Sequence, residues 1–243
     1  MIPVHAAPRN RTLPTRQQTP QPWRKAAAAA LFVVLALLTL QVAGLGISGL
    51  FAELARFETE RAGAAAARIG AQEVGRIEQH LFYSLRYAPG NPWTLEQMGA
   101  LELAKMRAST VPREAVALTR DARARFRQAL AQRPTSPFLW ANLALAKLYL
   151  DEIDAEFFAA LRNADALGPW EPIVQQMTVF VGLAAWQQLD PGLRQALVRT
   201  LERGALRNAE KMAQIVNSFH RSDLICGNSG YSPIVGKQCA GNR

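Results

Sequence analysis

ARARFRQALAQRPTSPFLWANLALAKLY, residues Ala122 to Tyr149, reads as a helix, a tight turn and a second helix. Ala122, Phe126, Ala129 and Leu130 recur at i, i+4, i+7 and i+8, one apolar stripe of an amphipathic helix, while Arg and Gln fill the other face. Pro134 stops that helix. Ser136 is placed to cap the next one, and Pro137 takes its first position, where no backbone donor is needed. Trp140, Leu143, Ala144 and Leu148 then repeat the helical spacing. Ala129 and Ala144 are small residues on the two stripes, so the helices can approach closely and pack antiparallel as a hairpin.

The rest of the chain reads the same way. Ala and Leu dominate its 243 residues, aromatics are modest, and clean alternating strand patterns are missing, so the expected fold class is all-α. The formal net charge of +9 is unevenly spread. Arg9, Arg11, Arg16, Arg24 and Lys25 lie in the first 25 residues with no acid among them, and no dense basic stripe with interleaved aromatics follows. Nucleic acid is therefore not an expected partner.

Residues 1–25 mix five prolines with Arg, Gln and Thr and hold too little apolar content to fold alone, which reads as a disordered tail. From Ala26 to Leu50 there is no charge at all. Twenty-five helical residues at about 1.5 Å each cover the roughly 30 Å hydrocarbon core with some tilt, so residues 26–51 are expected to be a transmembrane helix in contact with the lipid bilayer. A cleaved secretory signal would have a shorter apolar core and would not sit behind a long basic tail. Five positive residues precede the span and charges of mixed sign follow it, which keeps the tail in the cytoplasm and places the remainder in the periplasm of a Gram-negative cell. Residues 52–76 read as a continuing helical stalk, weakened at Gly70 and Gly75.

Ile77, Leu81, Ser84, Leu85 and Pro89 take the same relative places as Ala122, Phe126, Ala129, Leu130 and Pro134. Six residues after each proline come Leu95 and Trp140, followed by Met98-Gly99 and Leu143-Ala144. This pattern resembles the tetratricopeptide repeat, with an aromatic or Leu and then Leu-Gly on one helix and Ala, Phe, Ala and Pro on the next. The resemblance implies a short tetratricopeptide-like α-helical solenoid over residues 77–169, with Leu95, Met98, Gly99, Ala122, Phe126, Ala129, Pro134, Trp140, Leu143 and Ala144 as its core signature. Phe157, Leu161, Ala164 and Pro169 form a weaker copy of the second helix. The chain departs from the family by about eleven extra residues around Met106 to Pro112, by Glu102 and Lys147 where an aromatic is usual, and by showing no clear copy after Pro169. Over residues 170–222 a helix is expected to start at Pro172, with Ile173, Val174, Met177, Phe180, Val181, Ala184 and Ala185 facing inward, followed by capping helices from Asp190-Pro191 to about Leu206 and over Ala209 to Phe219, because an uncovered terminal repeat exposes its apolar face.

Residues 223–243 are irregular in composition and contain both cysteines, Cys226 and Cys239, which outside the cytoplasm are expected to form a disulfide. Motifs for catalysis are missing: no HExxH, no phosphate-cradling glycine loop and no CxxC. Gly227-Asn228-Ser229-Gly230 reads as a turn and not as a nucleophile, since a triad also needs a histidine and an acid on a rigid scaffold. No metal or cofactor is expected, and the chain is not expected to be an enzyme. Asp151, Glu152, Asp154 and Glu156 read as solvated helix-start acids favoured by the macrodipole. Trp140 reads as core. Trp170, held between Gly168-Pro169 and Glu171-Pro172, is the best candidate for a partner contact, together with Glu171.

A second resemblance is to the VpsP family of exopolysaccharide-biosynthesis proteins, carried by the layout of tail, span and Ala-rich stalk and by the phrases SPFLWANLALAKLYL and ALGPWEP. It implies an accessory role in exopolysaccharide assembly or export, with an inner-membrane polymerase or export complex as partner. The function expected is thus a membrane-anchored periplasmic scaffold that docks other envelope proteins. The alternatives are a carbohydrate-binding or carbohydrate-modifying domain that uses Trp170 and nearby acids, and a structural subunit of a secretion or division assembly.

Overall fold

Proline sets the rhythm of the fold. Asn91, Ser136 and Asp190 each stand one residue before a helix-initiating proline, and their side chains accept from the backbone N–H of Trp93, Leu139 and Leu193. The structure, a computed structural model, describes residues 22–64, 70–221 and 223–226. Among these it is all-helical: α1 Pro22–Ala64, α2 Ala71–Tyr87, α3 Pro92–Ala108, α4 Pro112–Gln132, α5 Pro137–Tyr149, α6 Ala155–Leu167, α7 Pro172–Ala184, α8 Pro191–Ser218 and α9 Asp223–Cys226, with a 3-10 turn Trp186–Gln188.

The chain divides into two units, residues 1–43 and 44–243. In the first, the described part of α1 is apolar and solvent-exposed along its length, and α1 is long and apolar enough to cross a membrane. In the second, α3 packs on α4, α5 on α6 and α7 on α8, while α4 also lies against α5, and α5 against α7. Short connections of a few residues make each pair an antiparallel hairpin. One apolar core runs through all of them, from Leu95 on α3 to Val216 on α8. Ala141, Ala164 and Val174 meet where α5, α6 and α7 join, and their small size lets three backbones converge.

The sequence after the span departs from the expected stalk. Residues 52–64 complete α1, and α2 runs back along them: Ser48 bonds Ser84 (Oγ–Oγ 2.9 Å), Ala55 shares a core with Ile77 and Leu81, and Arg76 reaches Glu58 at 3.4 Å. The physical cause is burial of small residues. Ser48, Ala52 and Ala55 recur on one face of α1 and are buried, whereas a free stalk would leave them in water. The α2 start is set by Gly70, whose N–H donates to the Glu73 carboxylate at 3.0 Å. The span drawn over residues 26–51 therefore overlaps the helical unit by several residues.

At the other end, α8 is interrupted at Asn208 (φ −148°, ψ 71°), between the two helices separated in the sequence at Leu206 and Ala209. The Asn208 side chain accepts from the N–H of Lys211 at 3.1 Å and so starts the second half as a cap. Moreover, α7 and α8 form a third hairpin, although the sequence shows no clear repeat there. Cys226 ends α9, while Cys239 and the expected disulfide lie outside the described residues, as do residues 1–21 of the expected tail and the turn at Ser229; residues 22–25 of that tail are helical and open α1.

Candidate functional site

The acids between α5 and α6 form an ion-pair network. Helix α5 ends in a Schellman motif: Asp151 adopts φ 57°, the Glu152 N–H donates to the Lys147 carbonyl at 2.9 Å, and the Asp151 N–H donates to that of Leu148 at 3.1 Å. This fold-back brings Glu152 over the last turn of α5, where Lys147 is fully buried. Its Nζ meets Glu152 at 3.2 Å, Asp154 at 2.9 Å and Glu156 at 2.9 Å. From α4, Arg123 pairs with Glu152, and Arg127 Nε donates to Glu156 at 2.8 Å. Three carboxylates thus meet three cations drawn from α4 and α5.

Burial works against the Lys147 charge, but its bonds to Glu156, Asp154 and Glu152 together raise its pKa above that of ordinary lysine. For Glu152 burial also opposes the charge, and the bonds from Arg123 and Lys147 win, lowering its pKa. The bond from Lys147 and the backbone N–H of Phe157 lower that of Asp154, and the bond from Arg127 lowers that of Glu156 against its burial. Asp154 does cap α6, accepting from the Phe157 N–H at 3.0 Å, as its place in the sequence implies. The solvated-acid expectation is corrected for Glu152 and Glu156, which bind cations on neighbouring helices.

The same place in the preceding hairpin is also ionic. Glu102 follows Leu95 by seven residues, as Lys147 follows Trp140, and pairs with Arg125 at 2.7 Å. Its pKa is raised because burial outweighs Arg125. The two departures from an aromatic are thus buried charges bonded to the following helix.

Of the signature residues, Leu95, Gly99, Ala122, Phe126, Ala129, Leu143 and Ala144 are buried, Met98 and Trp140 are half-buried, and Pro134 is exposed at the turn. A methyl built on Gly99 would lie 2.6 Å from Phe126 Cε1, so the close α3–α4 approach requires glycine there. The Trp140 indole N–H donates to the Pro134 carbonyl, six residues back, at 2.7 Å. Buried Gln175 does the same to Pro169 at 2.6 Å. Gln175 therefore fills the Trp140 place in the third hairpin with a residue that no aromatic signature would find.

Trp170 has a fixed backbone and a free side chain. A Cβ on Gly168 would lie 2.6 Å from Pro137, Arg203 Nε donates to the Pro169 carbonyl at 3.2 Å, and an Arg207 N–H donates to that of Trp170 at 2.6 Å. The Trp170 residue is nonetheless 58 % exposed, and Glu171 beside it is exposed without capping α7 through its side chain. Replacing Trp170 with alanine is expected to leave thermal stability unchanged within about 0.5 kcal/mol, as a surface substitution does; a large loss in a melting experiment would make Trp170 a packing residue.

A groove opens beside this turn. Leu145 and Tyr149 on α5, Met177 and Phe180 on α7 and Ile215 on α8 line it, with Gln176 and Lys211 as its polar members. Ile173, 59 % exposed, continues the Met177 and Phe180 stripe of α7 towards Trp170. The cavity holds about 270 Å³. That lies below the roughly 300–1,000 Å³ of small-molecule pockets and suits one or two apolar side chains entering from outside. The sequence gives no sign of it, because its walls come from three helices far apart in the chain.

No protein-family model, curated protein or solved structure matches this chain.

Proposed function

We propose that the protein is a single-pass membrane-anchored scaffold whose helical unit, in the periplasm, docks an apolar segment of another envelope protein. The observation that carries this reading is the open groove between α5, α7 and α8. Its walls are apolar, and the exposed Lys211 at its edge fits a segment that also presents a carboxylate. Trp170, rigidly mounted beside it, extends the contact surface. The helix-pair architecture and the signature residues at the hairpin contacts support the tetratricopeptide-like resemblance, and the resemblance to VpsP proteins favours a partner in exopolysaccharide assembly or export. The periplasmic side follows from the basic tail before the span.

Photo-crosslinking in growing cells tests the docking. A benzoylphenylalanine at Tyr149, 39 % exposed in the groove, is expected to trap a discrete membrane-protein adduct that Met177→Asp abolishes. An adduct with polysaccharide would favour a carbohydrate-binding domain instead, and an adduct indifferent to Met177→Asp would remove the groove as the docking site. A reporter joined after Arg243 is expected to be active only in its exported form; cytoplasmic activity would reverse the topology.

A further inference from the structure

The groove between α5, α7 and α8 adjoins the last described residues. Helix α8 closes at Phe219, whose ring meets that of Phe180, a groove wall, with centroids 5.3 Å apart. His220 then adopts φ 55°, its N–H donates to the Asn217 carbonyl at 3.0 Å and the Arg221 N–H to that of Val216 at 3.1 Å, so the chain turns back on α8. The Arg221 guanidinium lies 4.5 Å from the Trp186 ring centroid, and α9 follows against α8, with Leu224 packed on the core. The chain is thus held beside the C-terminal ends of α7 and α8 as far as Cys226.

Seventeen residues follow Cys226 in the sequence. Among them residues 231–235, Tyr-Ser-Pro-Ile-Val, are the one apolar run, set between Gly230 and Gly236. Tyr231 stands five residues beyond Cys226, and at roughly 3.6 Å per extended residue the connection reaches up to about 18 Å. The run carries no charge, as the groove walls carry none apart from Lys211. The space of about 270 Å³ suits one or two apolar side chains, and Ile234 and Val235 supply two. Pro233 disfavours helix at Ser232, which leaves peptide groups to be bonded by other partners. The Tyr149 hydroxyl and the Gln176 amide line the same opening and make no hydrogen bond to another described residue. A segment on so short a connection meets the groove at an effective concentration on the order of millimolar, so a contact too weak to hold a free peptide can fill it.

We infer that residues 231–235 are the resident occupant of this groove, an intrachain segment that an incoming partner must displace. The contact itself needs no second protein, whereas the displacement rests on the docking reading above. Lys211 biases the exchange. Residues 227–243 contain no Asp or Glu, so a partner segment that brings a carboxylate to the exposed Lys211 gains a pairing that the resident side chains do not offer.

The test uses the purified full chain in detergent with reductant, benzoylphenylalanine at Tyr149, and mass spectrometry of the irradiated, trypsin-cut protein. The expected product joins position 149 to the peptide 222–237 within one chain, and Ile234→Asp/Val235→Asp lowers it by about fivefold or more. A second probe at Gln187, exposed beside Trp186 and not among the groove walls, separates docking from mere tethering. It is expected to give that product at about a fifth or less of the Tyr149 yield. Equal yields from the two probes, a product unchanged by the double substitution, or joins only between chains would overturn the occupant. In cells the double substitution is expected to raise the partner adduct at position 149 about threefold or more, and an unchanged adduct would overturn the displacement. A partner adduct without any intrachain product leaves the docking standing and the occupant wrong. An intrachain product without any partner adduct leaves the occupant standing and the docking wrong.

Discussion

Lys147→Met is expected to destabilise the helical unit by about 2–3 kcal/mol, measured by denaturant or thermal unfolding. Methionine keeps the buried stem but removes the ammonium that Glu152, Asp154 and Glu156 share. Removing one partner of a fully buried ion pair costs about 3–5 kcal/mol because the other charge is left uncompensated. Two features reduce that figure here: the three carboxylates keep part of their surface in water, and Arg123 and Arg127 still pair with Glu152 and Glu156.

The pH dependence carries a sign. Glu152, Asp154 and Glu156 have lowered pKa values in the folded state, so their contribution is present above the ordinary carboxylate range and is lost as pH falls through the lowered values. Lys147 has a raised pKa, so its contribution is present below the ordinary lysine value and fades as pH rises through the raised one. Glu102 opposes the acid limb, since burial raises its pKa and protonation favours the folded state. Lys147→Met should therefore flatten the acid limb of stability against pH and remove the alkaline loss due to Lys147. A variant as stable as the parent with an unchanged acid limb would show that the network does not tie α4, α5 and α6 together.

The hairpin Ala122 to Tyr149 was legible because its punctuation is local. Pro134 lies two residues past the end of α4, and Ser136-Pro137 caps and starts α5. Three features were not legible, each for a reason of its own. The return of α2 along α1 depends on Ser48 and Ser84, small polar residues 36 apart whose contact leaves no periodic trace. The helices from Pro172 and Asp190 were readable, but their kinship to the other hairpins was hidden because Gln175 replaces an aromatic while keeping the bond to a carbonyl six residues back. Lys147 stood out as a misfit, but its partners are spread over α4, α5 and α6, so only the folded chain shows what holds it. Trp170 was readable as exposed because the residues flanking it fix a turn that leaves its side chain no core to enter.

The contact between Gly99 and Phe126 should give the other large effect. Phe126 is fully buried on α4, flanked one turn either way by buried Ala122 and Ala129. Phe126→Ala is expected to cost about 3–5 kcal/mol, from lost burial and the cavity left behind. Gly99→Ala brings two opposed terms: about 1 kcal/mol gained in helix propensity, and about 1–3 kcal/mol lost by forcing a methyl against Cε1 and Cζ of Phe126. The ring is fully buried and has no open solvent to move into, so the clash should win. In Gly99→Ala/Phe126→Ala the methyl would enter space that the ring has left, and the double variant should be more stable than the sum of its parts by about 0.5–3 kcal/mol. Strict additivity in unfolding experiments would mean that α3 and α4 are not held at the distance the glycine sets. The consequence would reach the docking surface as well, because α4 supports α5, and α5 carries Leu145 and Tyr149 into the groove.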